Sequence, residues 1–197
     1  YLWVGIIGFG LLMYVLADGF DLGVGMLFPF ASDELERDVM MNSVAPVWDG
    51  NETWLILGGA GLLAAFPLVY TVFLPALYIG VFLLLAGLIF RGIAFEFRFK
   101  ASARNRYWWN AAFSIGSFVA AFAQGAVVGS YIQGFKTENM RYVGGAFDWL
   151  TPFTVMTGLG LVVGYALLGA TWLVLKTEGV LQERGRGWAR KLLMAVM

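Results

Sequence analysis

Residues 42–54, Asn-Ser-Val-Ala-Pro-Val-Trp-Asp-Gly-Asn-Glu-Thr-Trp, concentrate the side chains most able to do chemistry: Asp49, Glu52, Asn51, Trp48 and Trp54. After Glu52 no charged residue occurs until Arg91. Asp49 and Glu52 are three positions apart, so a helix places them on one face. Asp18 and Asp21 repeat that spacing inside another apolar run. Carboxylates beside a long apolar stretch are costly and point to a functional reason. The chemistry they fit is proton transfer, because acids linked by polar side chains and water form relays within membranes. Asn51, Thr53, Asn42 and Ser43 are the candidate water holders. A structural reading competes: an acid near a helix N-terminus caps it or offsets its dipole, which suits Glu52 if Asp49 lies in the first turn. Trp48 and Trp54 read as interfacial anchors or as the flanks of a bound ring system.

The elements that must position these groups are membrane helices. The chain is 60% hydrophobic and 13% charged, with a mean hydropathy of +0.75. A soluble domain carries about 25% charged residues. The fold class is therefore an all-α polytopic membrane protein, an antiparallel transmembrane helix bundle in a single domain over residues 1–197. A formal net charge of zero implies no nucleic acid or other polyanion as partner. With no Cys there is neither disulfide nor thiolate metal site, and with no His the commonest haem ligand and general base are missing. The eight methionines are scattered without ligand spacing and read as core filling. No residue is assigned as catalytic, cofactor-binding or metal-ligating; a redox metal is expected in a partner chain.

About five full spans are expected, over residues 1–30, 43–66, 70–90, 107–130 and 152–175, with a sixth starting near Trp188. Roughly twenty residues cross the hydrocarbon. Gly19, Gly23 and Gly25 in the first span, and Gly58, Gly59 and Gly61 in the second, offer close approach to neighbouring helices. Residues 32–41 read as a solvated loop helix capped by Ser32 or Asp33. Pro46 fits the first turn of span two, Pro67 its end, and Pro75 a kink or start in span three. The short turn at Pro67 makes spans two and three antiparallel neighbours. Tyr107-Trp108-Trp109 reads as an interfacial anchor, and Gln124 and Gln133 as interhelical hydrogen bonders. The chain opens at Tyr1 without Met and ends in an apolar run, and reads as part of a longer chain.

Residues 91–106 and 176–191 carry five basic residues each, while residues 131–150 carry two. Positive-inside counting puts the first two on the cytoplasmic side and the N-terminus outside. Asp18, Asp21, Asp49 and Glu52 then fall toward one side of the membrane. The arginines of residues 91–106 read mainly as this topology signal, otherwise as contacts to a partner subunit or anionic lipid.

Residues 17–26, Ala-Asp-Gly-Phe-Asp-Leu-Gly-Val-Gly-Met, followed by Asn-Ser-Val-Ala-Pro-Val-Trp-Asp-Gly-Asn at 42–51 and Ala-Ala-Phe-Pro at 64–67, resemble subunit II of cytochrome bd-type ubiquinol oxidases. Arg-Gly-Ile-Ala-Phe-Glu-Phe-Arg at 91–98 matches that family's basic segment. The resemblance implies a respiratory complex of the bacterial cytoplasmic membrane that oxidises quinol and reduces dioxygen to water. It implies a haem-bearing subunit I, with haems of b and d type, and a haem-free subunit II; a small single-span subunit and membrane lipids complete the partners. Some family members hold a structural quinone in subunit II. Asp49 maps onto the aspartate at the entry of a cytoplasmic proton path, and Asp18 and Asp21 onto the aspartates of the Asp-Gly-Phe-Asp block. Glu52 stands at a position where the family does not always carry an acid. The alternative function is a proton-coupled secondary transporter or channel, which would show broken helices in two corresponding halves with a site at the midplane.

Overall fold

Apolar stretches this long satisfy their backbone only as helices in a membrane, and the computed structural model, which describes residues 1–197, is built almost wholly of them. The order is α1 (Leu2–Leu27), a 3-10 turn (Phe28–Phe30), α2 (Glu34–Val44), α3 (Trp48–Ala65), α4 (Pro67–Phe97), α5 (Ala103–Gln133), a hairpin of β1 (Thr137–Glu138) and β2 (Arg141–Tyr142), α6 (Pro152–Lys176) and α7 (Gly179–Val196). The fold is an all-α membrane bundle. Four helices are long and apolar enough to cross a membrane: α1 with its 3-10 turn, α4, α5 and α6. The count of about five spans differs at α3, which has 18 residues and carries Asp49, Asn51 and Glu52 in its first two turns. Trp188, the expected start of a sixth span, lies inside α7, which begins at Gly179.

Several boundaries move for local reasons. Pro46 sits in the turn between α2 and α3, not in a first helical turn. Pro67 begins α4, where its missing N–H costs nothing, and Pro75 is carried inside that helix. Residues 91–97, expected as loop, continue α4, since they are apolar apart from Arg91 and Glu96. Residues 32–41 are not simply solvated: Asp33 caps α2 by accepting from the Glu36 N–H at 2.8 Å, and Met40, Met41 and Val44 are fully buried. At the other end of the bundle, Thr151 and Thr154 cap α6 reciprocally, with Pro152 in its first turn.

Glycine sets the helix crossings. A Cβ on Gly23 would overlap the Tyr165 carbonyl oxygen and come within 2.7 Å of the Gly169 nitrogen, so α1 and α6 meet backbone to backbone. Gly87 and Gly116 do the same between α4 and α5, a Cβ on either meeting the other's carbonyl oxygen at 2.7 and 2.6 Å. Gly58 and Gly61 admit Leu11 and Ile7 of α1, whereas Gly59 faces no neighbour. Helix α3 consequently leans mainly on α1, while α4 packs chiefly on α5. The expected pairing of spans two and three is the weaker contact, although a single residue, Phe66, separates them.

Candidate functional site

Helices α1, α3 and α4 bring Asp18, Asp21, Asn51, Glu52 and Arg91 together. Arg91 is fully buried, and its Nη2 donates to Asp18 Oδ1 at 2.6 Å and also to Glu52 Oε1. Asn51 Nδ2 donates to Asp21 Oδ2 at 2.7 Å and to the Ala17 carbonyl at 3.3 Å. Asp18 and Asp21 are 0% and 1% exposed, while the Glu52 side chain retains 23% exposure. Helical geometry explains the meeting. Asp18 and Asp21 lie one turn apart on the face of α1 toward α3, and Glu52 occupies the second turn of α3. Arg91 reaches them from the C-terminal third of α4.

The charge balance is unusual for an apolar interior. Three carboxyl groups surround one guanidinium, so the cluster can hold protons beyond those of its ion pairs. Asp18 Oδ2, Asp21 Oδ1 and Arg91 Nε and Nη1 are buried without a protein partner, and such groups are ordinarily satisfied by water. An acidic cluster of this kind can accept, store and pass on a proton.

Sequence reasoning selected four members of the cluster and missed the fifth. Arg91 read as a topology signal because it follows a long apolar run. Two features pointed inward: the helix-compatible residues after it, and the need of several acids on one side for a counter-ion. Asp49 is not joined to the cluster by a hydrogen bond; it is exposed in the first turn of α3, one turn before Glu52. Thr53 is exposed and its hydroxyl donates to the carbonyls of Asp49 and Gly50, Ser43 donates to the Met40 carbonyl, and Asn42 is exposed, so none of the three bridges the acids. Trp48 stacks on Phe95 with centroids 4.8 Å apart and planes 8° from parallel, and Trp54 meets Phe9 edge-on at 5.8 Å. Both tryptophans thus pack on rings of the chain itself. Gln133 accepts from Thr151 Oγ1 at 2.9 Å, an interhelical bond, whereas the Gln124 carbonyl oxygen has no partner. No three Asp or Glu side chains converge as a metal-ligand set.

A second buried arginine, Arg98, ties the same end of the bundle together. It donates to Asp38 at 2.5 Å, Glu34 at 2.9 Å and Asn110 at 2.6 Å, joining α2, α4 and α5. Arg184 of α7 adds a bond to Glu36 at 2.6 Å. Arg91 and Arg98 are therefore committed to the interior, whereas Lys100, Arg106, Arg184 and Arg186 each pair with an acid nearer the surface, and Arg104, Lys176, Arg190 and Lys191 make no ion pair.

Residues 1–197 match the family described as cytochrome bd terminal oxidase subunit II. The chain is similar to cytochrome bd-I ubiquinol oxidase subunit 2 of Escherichia coli K12, 38% identical over 197 residues, covering 96% of this chain and 52% of that protein. It is 32% identical over 200 residues to cytochrome bd ubiquinol oxidase subunit 2 of Bacillus subtilis, covering 99% of this chain and 59% of that one. The chain therefore spans little more than half the length of these curated relatives. Among solved structures, the bd oxidase from Geobacillus thermodenitrificans has a chain of the same fold, with a TM-score of 0.79 at 18% identity, over 98% of this chain and 60% of that chain.

Proposed function

We propose, starting from the chain's membership of the cytochrome bd terminal oxidase subunit II family, that it is the haem-free subunit of a respiratory quinol:oxygen oxidoreductase and supplies cytoplasmic protons for dioxygen reduction. The observation that carries this reading is the buried set of Asp18, Asp21 and Glu52 around Arg91, with Asn51 on Asp21. Asp49, exposed one turn before Glu52, is the entry; Glu52, still partly open, is the next acceptor; Asp21 and Asp18 lie inside. Asn51 holds Asp21 in place through a direct bond, the orientation a relay needs.

The donor set of this chain does not fit haem: it has no His or Cys, and its methionines do not pair as ligands. Haem b and haem d are accordingly assigned to the partner subunit I, together with quinol oxidation. Trp48 and Trp54 pack on Phe95 and Phe9, so they are assigned to packing and not to a quinone ring. The basic residues that remain at the α4–α5 and α6–α7 ends support a multi-pass topology in the bacterial cytoplasmic membrane, with Tyr1 outside.

The test uses the assembled complex carrying Asp21→Asn or Asp49→Asn. Oxygen consumption should fall at least several-fold while the haem spectrum stays intact, because proton supply is blocked and ligation is not. Full turnover in both variants would remove the acids from the path. Purification of the chain as a colourless homo-oligomer would argue for a transporter.

A further inference from the structure

Above the acid cluster, toward the centre of the bundle, three more polar side chains are buried. Tyr14 lies four residues, about 6 Å of helix, before Asp18 on α1. Tyr165 comes from α6 and Gln124 from α5. They are 1%, 2% and 8% exposed. Tyr14 sits one helical turn from Asp18, and the Tyr165 ring packs over Gly19, the residue next to Asp18. None of these groups closes a direct hydrogen bond: Tyr14 Oη, Tyr165 Oη, Gln124 Oε1 and Asp18 Oδ2 are all buried and unpartnered.

Four such atoms in one interior are unusual, since buried polar groups nearly always find a partner. Gly19 lies directly beneath the Tyr165 ring, where a Cβ would come within 2.8 Å of Cε1. Helix α5 offers Ala120, Ala121 and Ala123 to the same cluster, with Leu22, Leu84 and Leu88 around them. Tyr165 thus packs against the turn of α1 that carries Asp18, among small and aliphatic side chains. A buried water molecule takes about two to four polar partners, and these groups supply hydroxyls, an amide and a carboxylate oxygen.

We propose that Tyr14, Tyr165, Gln124 and the free oxygen of Asp18 bind a chain of internal water, a hydrated branch leading from the acid cluster into the middle of the bundle. Each tyrosine hydroxyl both donates and accepts, so it passes a proton along the chain by releasing one O–H hydrogen as it gains another. The hydration stands on the unpartnered groups alone; use of the branch for proton movement rests on the proton-supply reading above.

Hydroxyl-radical footprinting of the intact complex in ¹⁸O-labelled water tests the hydration. Water held beside a ring generates the radical in place, so Tyr14 and Tyr165 should acquire ¹⁸O despite their burial. Exposed Tyr107, at 68%, and fully buried Phe113 set the upper and lower limits. Tyrosines as silent as Phe113 overturn the proposal. The relay is tested separately in the assembled Tyr14→Phe, Tyr165→Phe and Gln124→Leu complexes. Proton uptake, read with a pH dye, should fall at least threefold in the double tyrosine variant, with a larger solvent isotope effect and an unchanged haem spectrum. Unchanged uptake there, with Asp21→Asn still impaired, overturns the relay and leaves the acid path standing. Unchanged uptake in Asp21→Asn as well would overturn the path itself.

Discussion

Replacing Arg91 by methionine removes the only cation from an interior that holds Asp18, Asp21 and Glu52. Methionine keeps most of the side-chain length and fills the space, so the change is one of charge and hydrogen bonding. Glu52 retains a 23% exposed side chain and can turn toward bulk solvent, whereas Asp18, at 1%, cannot. The penalty therefore falls chiefly on Asp18. Breaking a buried pair by deleting one partner costs about 3–5 kcal/mol, which is roughly two to four decades in an equilibrium constant. The assay is thermal or denaturant unfolding of the purified complex, with assembled yield measured alongside. The triple variant Arg91→Met, Asp18→Asn, Glu52→Gln leaves no charged group in the pair and should recover more than half of the lost stability, because a neutral replacement of a whole buried ionic set is close to neutral. Wild-type stability in Arg91→Met, or a triple variant no better than the single one, would refute the view that the cluster is an interdependent ionic unit.

Gly23→Ala should lower the yield of assembled complex more than its specific activity, because the new methyl overlaps the Tyr165 carbonyl and no side chain is present to move; unaltered yield would count against the backbone crossing. Arg98→Ala should be milder than Arg91→Met, on the order of 1–3 kcal/mol, since its partners Glu34 and Asp38 keep 44% and 34% side-chain exposure and regain water. Its signature is local: amide exchange across α2 should quicken while that of α5 does not, and equal protection in α2 would show that Met40, Met41 and Val44 hold it without the ion pairs.

The apolar runs announced α1, α5 and α6 to within four residues, and α4 apart from its last two turns, because hydrocarbon thickness and backbone satisfaction leave a long apolar segment little choice. The cluster's acids were equally legible, since Asp18 and Asp21 break such a run and Asn51 and Glu52 flank another. Arg91 and Arg98 were not. A basic residue after an apolar stretch has the same appearance in a loop as in a helix that continues into a neighbour's acids, and only tertiary packing separates the two. The preference of α3 for α1 over α4 was also hidden. It depends on Gly58 and Gly61 admitting Leu11 and Ile7, while Gly59, one position away and identical in composition, faces nothing. Asp49 shows the opposite limit: its acid and its spacing stood out, but spacing says nothing about whether a first-turn residue faces the bundle or the water.

The α1–α6 crossing also constrains how the sequence can drift. At Gly23 and Gly169 the backbones themselves touch, and neither site has an atom to surrender when the other grows. A gain of volume at one cannot be offset by a loss at the other, so no two-step route of compensating substitutions exists between them. A selection from randomised codons at both positions should therefore return glycine twice, where ordinary side-chain contacts return many matched pairs.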